Sequence, residues 1–232
     1  MMNINTKEVE KFSQLSQEWW NLEGPLKTLH QVNPLRLEFI EKFCSLTNKN
    51  ILDIGCGGGI LAEALARKDA KVSALDASSK AIEVAKEHSQ LTGLKINYYN
   101  NTIEEFTNIN KNDSFDIVTC MEMLEHVPNP ESIIIEAAKL VKKDGYLFVS
   151  TLNRNLKSYL LSIITAEHIL KMVPKGTHEY SKFIKPYELT KIAEANDLKP
   201  VEIIGIHYNP LKKDFYLGKN VDVNYIIAFK KI

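Results

Sequence analysis

Cysteine is scarce in this chain. Cys44, Cys56 and Cys120 are the whole complement, and no two stand as Cys-x-x-Cys. An odd number without paired spacing argues against a disulfide framework and fits a reducing compartment. It also argues against a zinc ribbon and a thioredoxin-type site. Net charge is missing too, with 29 basic side chains against 29 acidic ones. A neutral chain has no global attraction for nucleic acid, so none is expected as a partner, and any electrostatic partner must be met by a local patch. No stretch reaches the roughly 18 apolar residues that a membrane-crossing helix needs. The opening segment, MMNINTKEVEKF, lacks the basic-then-apolar order of a secretory signal. Together these absences predict a cytoplasmic protein, with peripheral attachment to the inner face of the cell membrane left open. Internal repeats and low-complexity tracts are absent as well.

What is present is an ordinary globular composition, 44% apolar and 25% charged over 232 residues. That is enough for one full core, and a single domain over 1–232 is expected. Short apolar runs alternate with longer amphipathic ones, the pattern of an α/β protein. Strands are predicted at 50–54, 71–75, 95–99, 115–120, 145–151, 201–206 and 223–229. Helices are predicted near 59–68, 78–91, 131–142 and 186–196, and two more, near 7–20 and 34–45, fill the N-terminal segment 1–45. Seven strands with interleaved helices imply a doubly wound, Rossmann-like sheet, in which ligands bind beyond the C-terminal strand ends. The interval 152–200 is too long for a plain crossover, so about 154–184 reads as a helical insertion between the fifth and sixth strands.

Two strand ends carry chemistry. ILDIGCGGG runs from the first predicted strand into a helix and reads Asp53-x-Gly55-x-Gly57-x-Gly59. Glycines there let the backbone turn sharply and approach a ligand. Asp76 closes the second strand, where a carboxylate can accept from both hydroxyls of a ribose. A nicotinamide fingerprint, GxGxxG, fits poorly, because Ile60 stands where glycine or alanine is expected. An acid two residues before the first glycine is the pattern of S-adenosylmethionine-dependent methyltransferases. NTIEEF follows the third strand, and Thr102 to Glu104 are candidates to lie beside an adenine. After the fourth strand comes CMEMLEHVPNP, which places Glu122, Glu125 and His126 within five positions. An Asn/Asp-Pro-Pro-aromatic motif, expected there in an amino methyltransferase of nucleic acid, is not found.

Three longer stretches are more discriminating: WWNLEGPLKTLHQVNPLRLEFI (19–40), CMEMLEHVPNP (120–130) and STLNRNLKSYLLSIITAEHILKMVPKGTHEYSKFIKP (150–186). With HYNPL (207–211) and DVNYI (222–226) they closely resemble the ubiquinone-biosynthesis O-methyltransferases, from about residue 10 to 230. The resemblance implies the seven-stranded class I methyltransferase sheet, S-adenosylmethionine as cofactor, and polyprenylated phenols or catechols as substrates of two O-methylation steps. A protein complex of ubiquinone biosynthesis is an implied partner. Residue by residue, it implies that Arg36, Gly55, Asp76 and Met121 contact the cofactor. A guanidinium fork suits the methionine carboxylate, and a methionine side chain makes a soft apolar wall.

Glu122, Glu125 and His126 admit three readings. They bind a divalent cation, with Mg²⁺ matching what the family is associated with, so that a chelated catechol loses its proton. Or His126 is a general base oriented by a carboxylate. Or the string is structural, with an acid that caps a turn and a packed histidine. The insertion has two readings. Arg154, Lys157, Lys171, Lys175, Lys182 and Lys185 outnumber Glu167 and Glu179, and apolar residues stand at helical spacing beside them. An interfacial helix on an anionic membrane surface has that pattern, and so does a helix that covers the sheet. Alternatives for the whole chain are a methyltransferase of a soluble phenol and a non-catalytic lipid-surface protein.

Overall fold

A computed structural model describes residues 3–110, 114–159 and 180–232. Each strand follows from an apolar run that has neighbours on both faces. β1 (Asn50–Ile54), β2 (Lys71–Leu75), β3 (Ile96–Tyr99), β4 (Phe115–Met121) and β5 (Val141–Leu152) are parallel in the order β3-β2-β1-β4-β5. The sheet continues through β8 (Asn224–Lys231), β6 (Leu198–Asn209) and β7 (Asp214–Gly218), all in antiparallel pairs. Parallel strands need both faces covered. One face packs Leu52, Ile54, Val118 and Val149 against α5 (Ile103–Ile109), α6 (Pro130–Leu140) and α8 (Pro186–Glu194). The other packs Ile51, Val72, Ile117 and Phe148 against α2 (Lys27–Glu41), α3 (Ile60–Ala66) and α4 (Ser79–Leu91).

Helix starts follow local signals. Asn5 caps α1 (Thr6–Gln14), and Ser78 caps α4 by accepting from Ala81 N–H. Thr102 and Glu105 form a reciprocal capping box at α5, which satisfies two orphan donors at once. Pro130 and Pro186 open α6 and α8, where the fixed φ helps and the missing N–H costs nothing. A one-turn α7 (Leu156–Ser158) follows β5.

The α/β class is as expected, with three differences in detail. The sheet has eight strands, not seven, because Asp214–Gly218 folds back on β6 as a hairpin. Helix α5 occupies the NTIEEF stretch, and α2 begins at Lys27 and runs through Pro34 instead of starting there. The helical insertion expected over about 154–184 has residues 160–179 outside the described residues. Among the described residues no helix is long and apolar enough to cross a membrane.

Candidate active site

The C-terminal ends of β1, β2 and β4 meet at one cavity of about 690 Å³. At β1 the chain turns through Gly55, Gly57 and Gly59, all at positive φ (69°, 53° and 88°). None of the three has room for a side chain; a Cβ on Gly59 would lie 2.5 Å from the Tyr98 hydroxyl oxygen. A Cβ on Gly57 would lie 2.2 Å from Trp19 Cη2, and one on Gly55 would lie 2.6 Å from Met123 Cγ. Trp19 therefore lies against the turn, and Trp20 donates its indole N–H to Gly58 O (3.0 Å). Trp20 also stacks on His88, with ring centroids 3.4 Å apart. The double tryptophan is thus a strap across the glycine turn.

Asp76 holds this turn from the side. Gly57 N–H donates to its Oδ2 (2.9 Å) and Ser78 N–H to its Oδ1 (2.8 Å). A carboxylate has about four acceptor sites, so two remain for a ligand's hydroxyls. Burial raises its pKa, and the two amide hydrogen bonds oppose that rise. Asp53 lies beneath the turn and is buried. Thr119 Oγ1 donates to its Oδ1 (2.6 Å). Burial pushes its pKa up to about 7, against the pull of the Thr119 hydrogen bond and Arg36.

Arg36, from the buried face of α2, is 6% exposed. Burial pulls its pKa down, while Glu122, Asp53 and Glu125 oppose that; a guanidinium stays cationic at neutral pH regardless. Its Nη2 stands 4.0 Å from Glu122 Oε1. Its Nε is buried and has no hydrogen-bond partner, an unspent donor at the cavity wall. Met121 is buried at the end of β4 and lines the same cavity. Glu104, in the first turn of α5, accepts from Ser132 at one oxygen (2.9 Å) and leaves the other, Oε2, buried without a partner. A buried donor and a buried acceptor left unpaired are costly. Their positions suit a zwitterionic, amino-bearing ligand such as S-adenosylmethionine.

The far end of the cavity is built by Glu122, Glu125 and His126. Glu122 has a left-handed backbone (φ 53°), unusual for a residue with a Cβ and typical of functional strand ends. Ser150 Oγ donates to its Oε1 (2.7 Å). Glu125 is 3% exposed. Thr151 Oγ1 donates to its Oε2 (2.7 Å), and its Oε1 is buried without a partner. Burial first, and Glu122 second, push its pKa up to about 7. His126 bonds through Nδ1 to Glu8 Oε2 (2.8 Å), a residue of α1.

The three side chains thus serve separate partners. Among the described residues no group of three His, Cys, Asp or Glu side chains is placed to hold a metal ion. The expected Mg²⁺ ligand set of Glu122, Glu125 and His126 does not fit this arrangement. Ser150 holds one carboxylate, Thr151 the other, and Glu8 the imidazole.

Of the expected cofactor residues, Arg36, Asp53, Gly55, Gly57, Asp76 and Met121 line one cavity; Gly59 does not line it and stands at the N-cap of α3. Sequence reasoning missed Glu8, Thr119, Ser150 and Thr151. Their contacts are long-range, and no local spacing announces them. Trp19 and Trp20 stood inside a resembling stretch but had no assigned role.

The comparisons with known proteins bear on family and fold. The methyltransferase domain family matches residues 27–203. A ubiquinone biosynthesis O-methyltransferase of Vibrio parahaemolyticus is 51% identical over 230 residues, covering 99% of this chain and 97% of that protein. The chain belongs to the ubiquinone biosynthesis O-methyltransferase family. Its member from Vibrio cholerae is also 51% identical, over 97% of this chain and 92% of that protein. In fold the chain resembles the magnesium protoporphyrin IX methyltransferase of Synechocystis, solved with bound SAH, at a TM-score of 0.71 and 18% identity, over 98% of this chain and 99% of that one. A possible histamine N-methyltransferase of Thermotoga maritima aligns at a TM-score of 0.66 and 16% identity, over 98% of this chain and 100% of that one.

Proposed function

We propose that this chain O-methylates polyprenylated phenol and catechol intermediates of ubiquinone biosynthesis, at both O-methylation steps, with S-adenosylmethionine as methyl donor. One observation carries the reading. A single cavity joins a glycine turn with its acid, Asp76, to an acid–imidazole end, Glu122, Glu125 and His126. The names of the half-identical relatives support the same pathway.

Bound S-adenosylmethionine supplies a methyl group already activated on a sulfonium. The protein's task is to hold and to deprotonate. Arg36 takes the methionine carboxylate through its free Nε, with Asp53 offsetting its charge. Asp76 takes the ribose hydroxyls, Met121 packs on the nucleoside, and Glu104 Oε2 takes the adenine amino group. Holding two reactants in line is worth roughly 7–11 kcal/mol when the fit is good. A neutral phenol is a poor nucleophile, so His126 accepts its proton. Glu125, its pKa raised by burial, bonds the adjacent hydroxyl through Oε1. Glu122 keeps Arg36 in place.

No step runs through a metal, because the ligands in the described arrangement do not converge. The segment 154–184, with its lysines, is our reading of how the chain meets an anionic membrane surface and so its lipid-tailed substrate. The test is transfer of labelled methyl to a short-chain prenyl catechol by metal-stripped protein, with and without added Mg²⁺. Transfer without metal supports His126 as base. Transfer that appears only with Mg²⁺ contradicts that role and restores Glu122, Glu125 and His126 as ligands. Transfer to a soluble phenol but not to the prenyl catechol contradicts the substrate class.

A further inference from the structure

The imidazole at the acid end is held by the far end of the chain. Glu8 and Phe12 stand four residues apart on α1, hence on one face of that helix. Glu8 Oε2 lies 2.8 Å from His126 Nδ1. Phe12 meets the same ring edge-on, with centroids 5.0 Å apart and planes at 88°. Both partners of the hydrogen bond are shielded, with side chains 13% and 14% exposed. A carboxylate oxygen accepts, so the ring donates to Glu8 through Nδ1–H, and in a neutral imidazole Nε2 is then the acceptor.

Helix α1 has no fully buried residue; Phe12 packs it against Trp19, Leu26 and Ile60. Polar contacts add to this near both of its ends. Asn3 Nδ2 donates to Asn129 O (2.7 Å), and Asn129 N–H donates back to Asn3 Oδ1 (2.8 Å). At the other end Ser13 Oγ pairs with Ser78 Oγ (2.7 Å), and Ser78 N–H is also bonded to Asp76. The helix therefore spans from the acid that grips the glycine turn to the loop just after His126.

We infer that Glu8 is a positioning residue for the methyl transfer, fixing His126 in the Nδ1–H tautomer so that Nε2 can take the substrate's proton. This rests on the proposed role of His126 as base. Glu8 lines the same cavity, and the role assigned to it runs through its hydrogen bond to the imidazole. An orienting carboxylate behind a catalytic imidazole is a general device, but here it arrives on the N-terminal helix. The base is complete only while α1 is docked.

The test has two readouts. In ¹⁵N-histidine spectra of the resting protein, wild type is expected to show His126 as one tautomer protonated at Nδ1. Glu8→Ala is expected to give a mixture shifted toward Nε2–H. An unchanged His126 signal in Glu8→Ala overturns the inference, whatever the substrate proves to be. In methyl transfer, Glu8→Ala is expected to lower kcat roughly ten- to a hundredfold, with little change in KM for S-adenosylmethionine. Glu8→Gln, whose amide oxygen still accepts from Nδ1–H, is expected to recover most of it. The deciding comparison adds Glu8→Ala to His126→Ala. No further loss in the double variant supports positioning. A loss of the same size as in wild type means that Glu8 only stabilises α1, and overturns the inference. Failure of His126→Ala to slow transfer defeats the base reading instead, and the spectra still decide what Glu8 does to the ring.

Discussion

At the scale of single residues, the cavity is organised by charges taken out of water and only partly repaired. Arg36 is the clearest case, a buried cation with an unpaired Nε. Arg36→Lys keeps the charge and loses the planar fork. We expect its Kd for S-adenosylmethionine to rise about tenfold or more by calorimetry, the scale of about 1.4 kcal/mol, with the fold intact by circular dichroism. Asp53 and Glu125 act on stability. Each has a folded pKa raised to about 7 by burial, above its unfolded value. The folded state therefore holds protons that the unfolded state has released. Each contribution is most favourable below the unfolded pKa and is lost as pH rises toward about 7. Glu125→Gln removes one such group. Its melting temperature is expected to gain on wild type between pH 5 and pH 8, as followed by calorimetry, and a constant difference across that range would contradict the assignment. Gly57→Ala puts a methyl against Trp19 on a left-handed backbone, which alone costs on the order of 1–2 kcal/mol. Both stability and cofactor binding should fall, the second measured by calorimetry at a temperature where the variant is folded.

At the scale of elements, legibility in the sequence tracked the range of the interactions. The glycine turn and Asp76 were readable because strand, turn and helix are consecutive. So were the α4 and α8 starts, where Ser78 and Pro186 act on their own next turn. The hairpin strand β7 was not readable, because its pattern is short and it pairs only with β6. Helix α5 is the exception: its capping box at Thr102 and Glu105 is a local signal, and it went unread because the helix is only seven residues long. Glu122, Glu125 and His126 were legible as a group but not as a device. Their spacing fitted a metal site, and the side-chain partners that divide them, Ser150, Thr151 and Glu8, come from β5 and α1. The segment 16–20 is an element with its own prediction. Trp20→Phe keeps a ring against His88 but loses the hydrogen bond to Gly58 O. It is expected to cost about 1 kcal/mol of stability in urea unfolding and to weaken cofactor binding a few-fold. Unaltered binding would show that the strap does not shape the turn.

At the scale of the whole molecule, the parallel strands deliver the site to one end of the sheet. The parallel strands β1, β2 and β4 end together, so Gly55, Asp76 and Glu122 arrive at the same wall. The antiparallel β6–β7–β8 extension adds Ile206, Tyr208 and Phe215 as apolar lining on the far side. A cavity with a charged floor and an apolar side suits a polar ring that carries a hydrocarbon tail. The central claim is that this one cavity transfers a methyl group from S-adenosylmethionine to a ring oxygen. Its most direct test is incubation with S-adenosylmethionine deuterated at the methyl group and a short-chain prenyl catechol, followed by mass spectrometry of the product. The account predicts a trideuteromethyl group on one catechol oxygen with wild type, and none with Asp76→Ala at the same cofactor concentration. Tight cofactor binding by wild type without any labelled ether would contradict it.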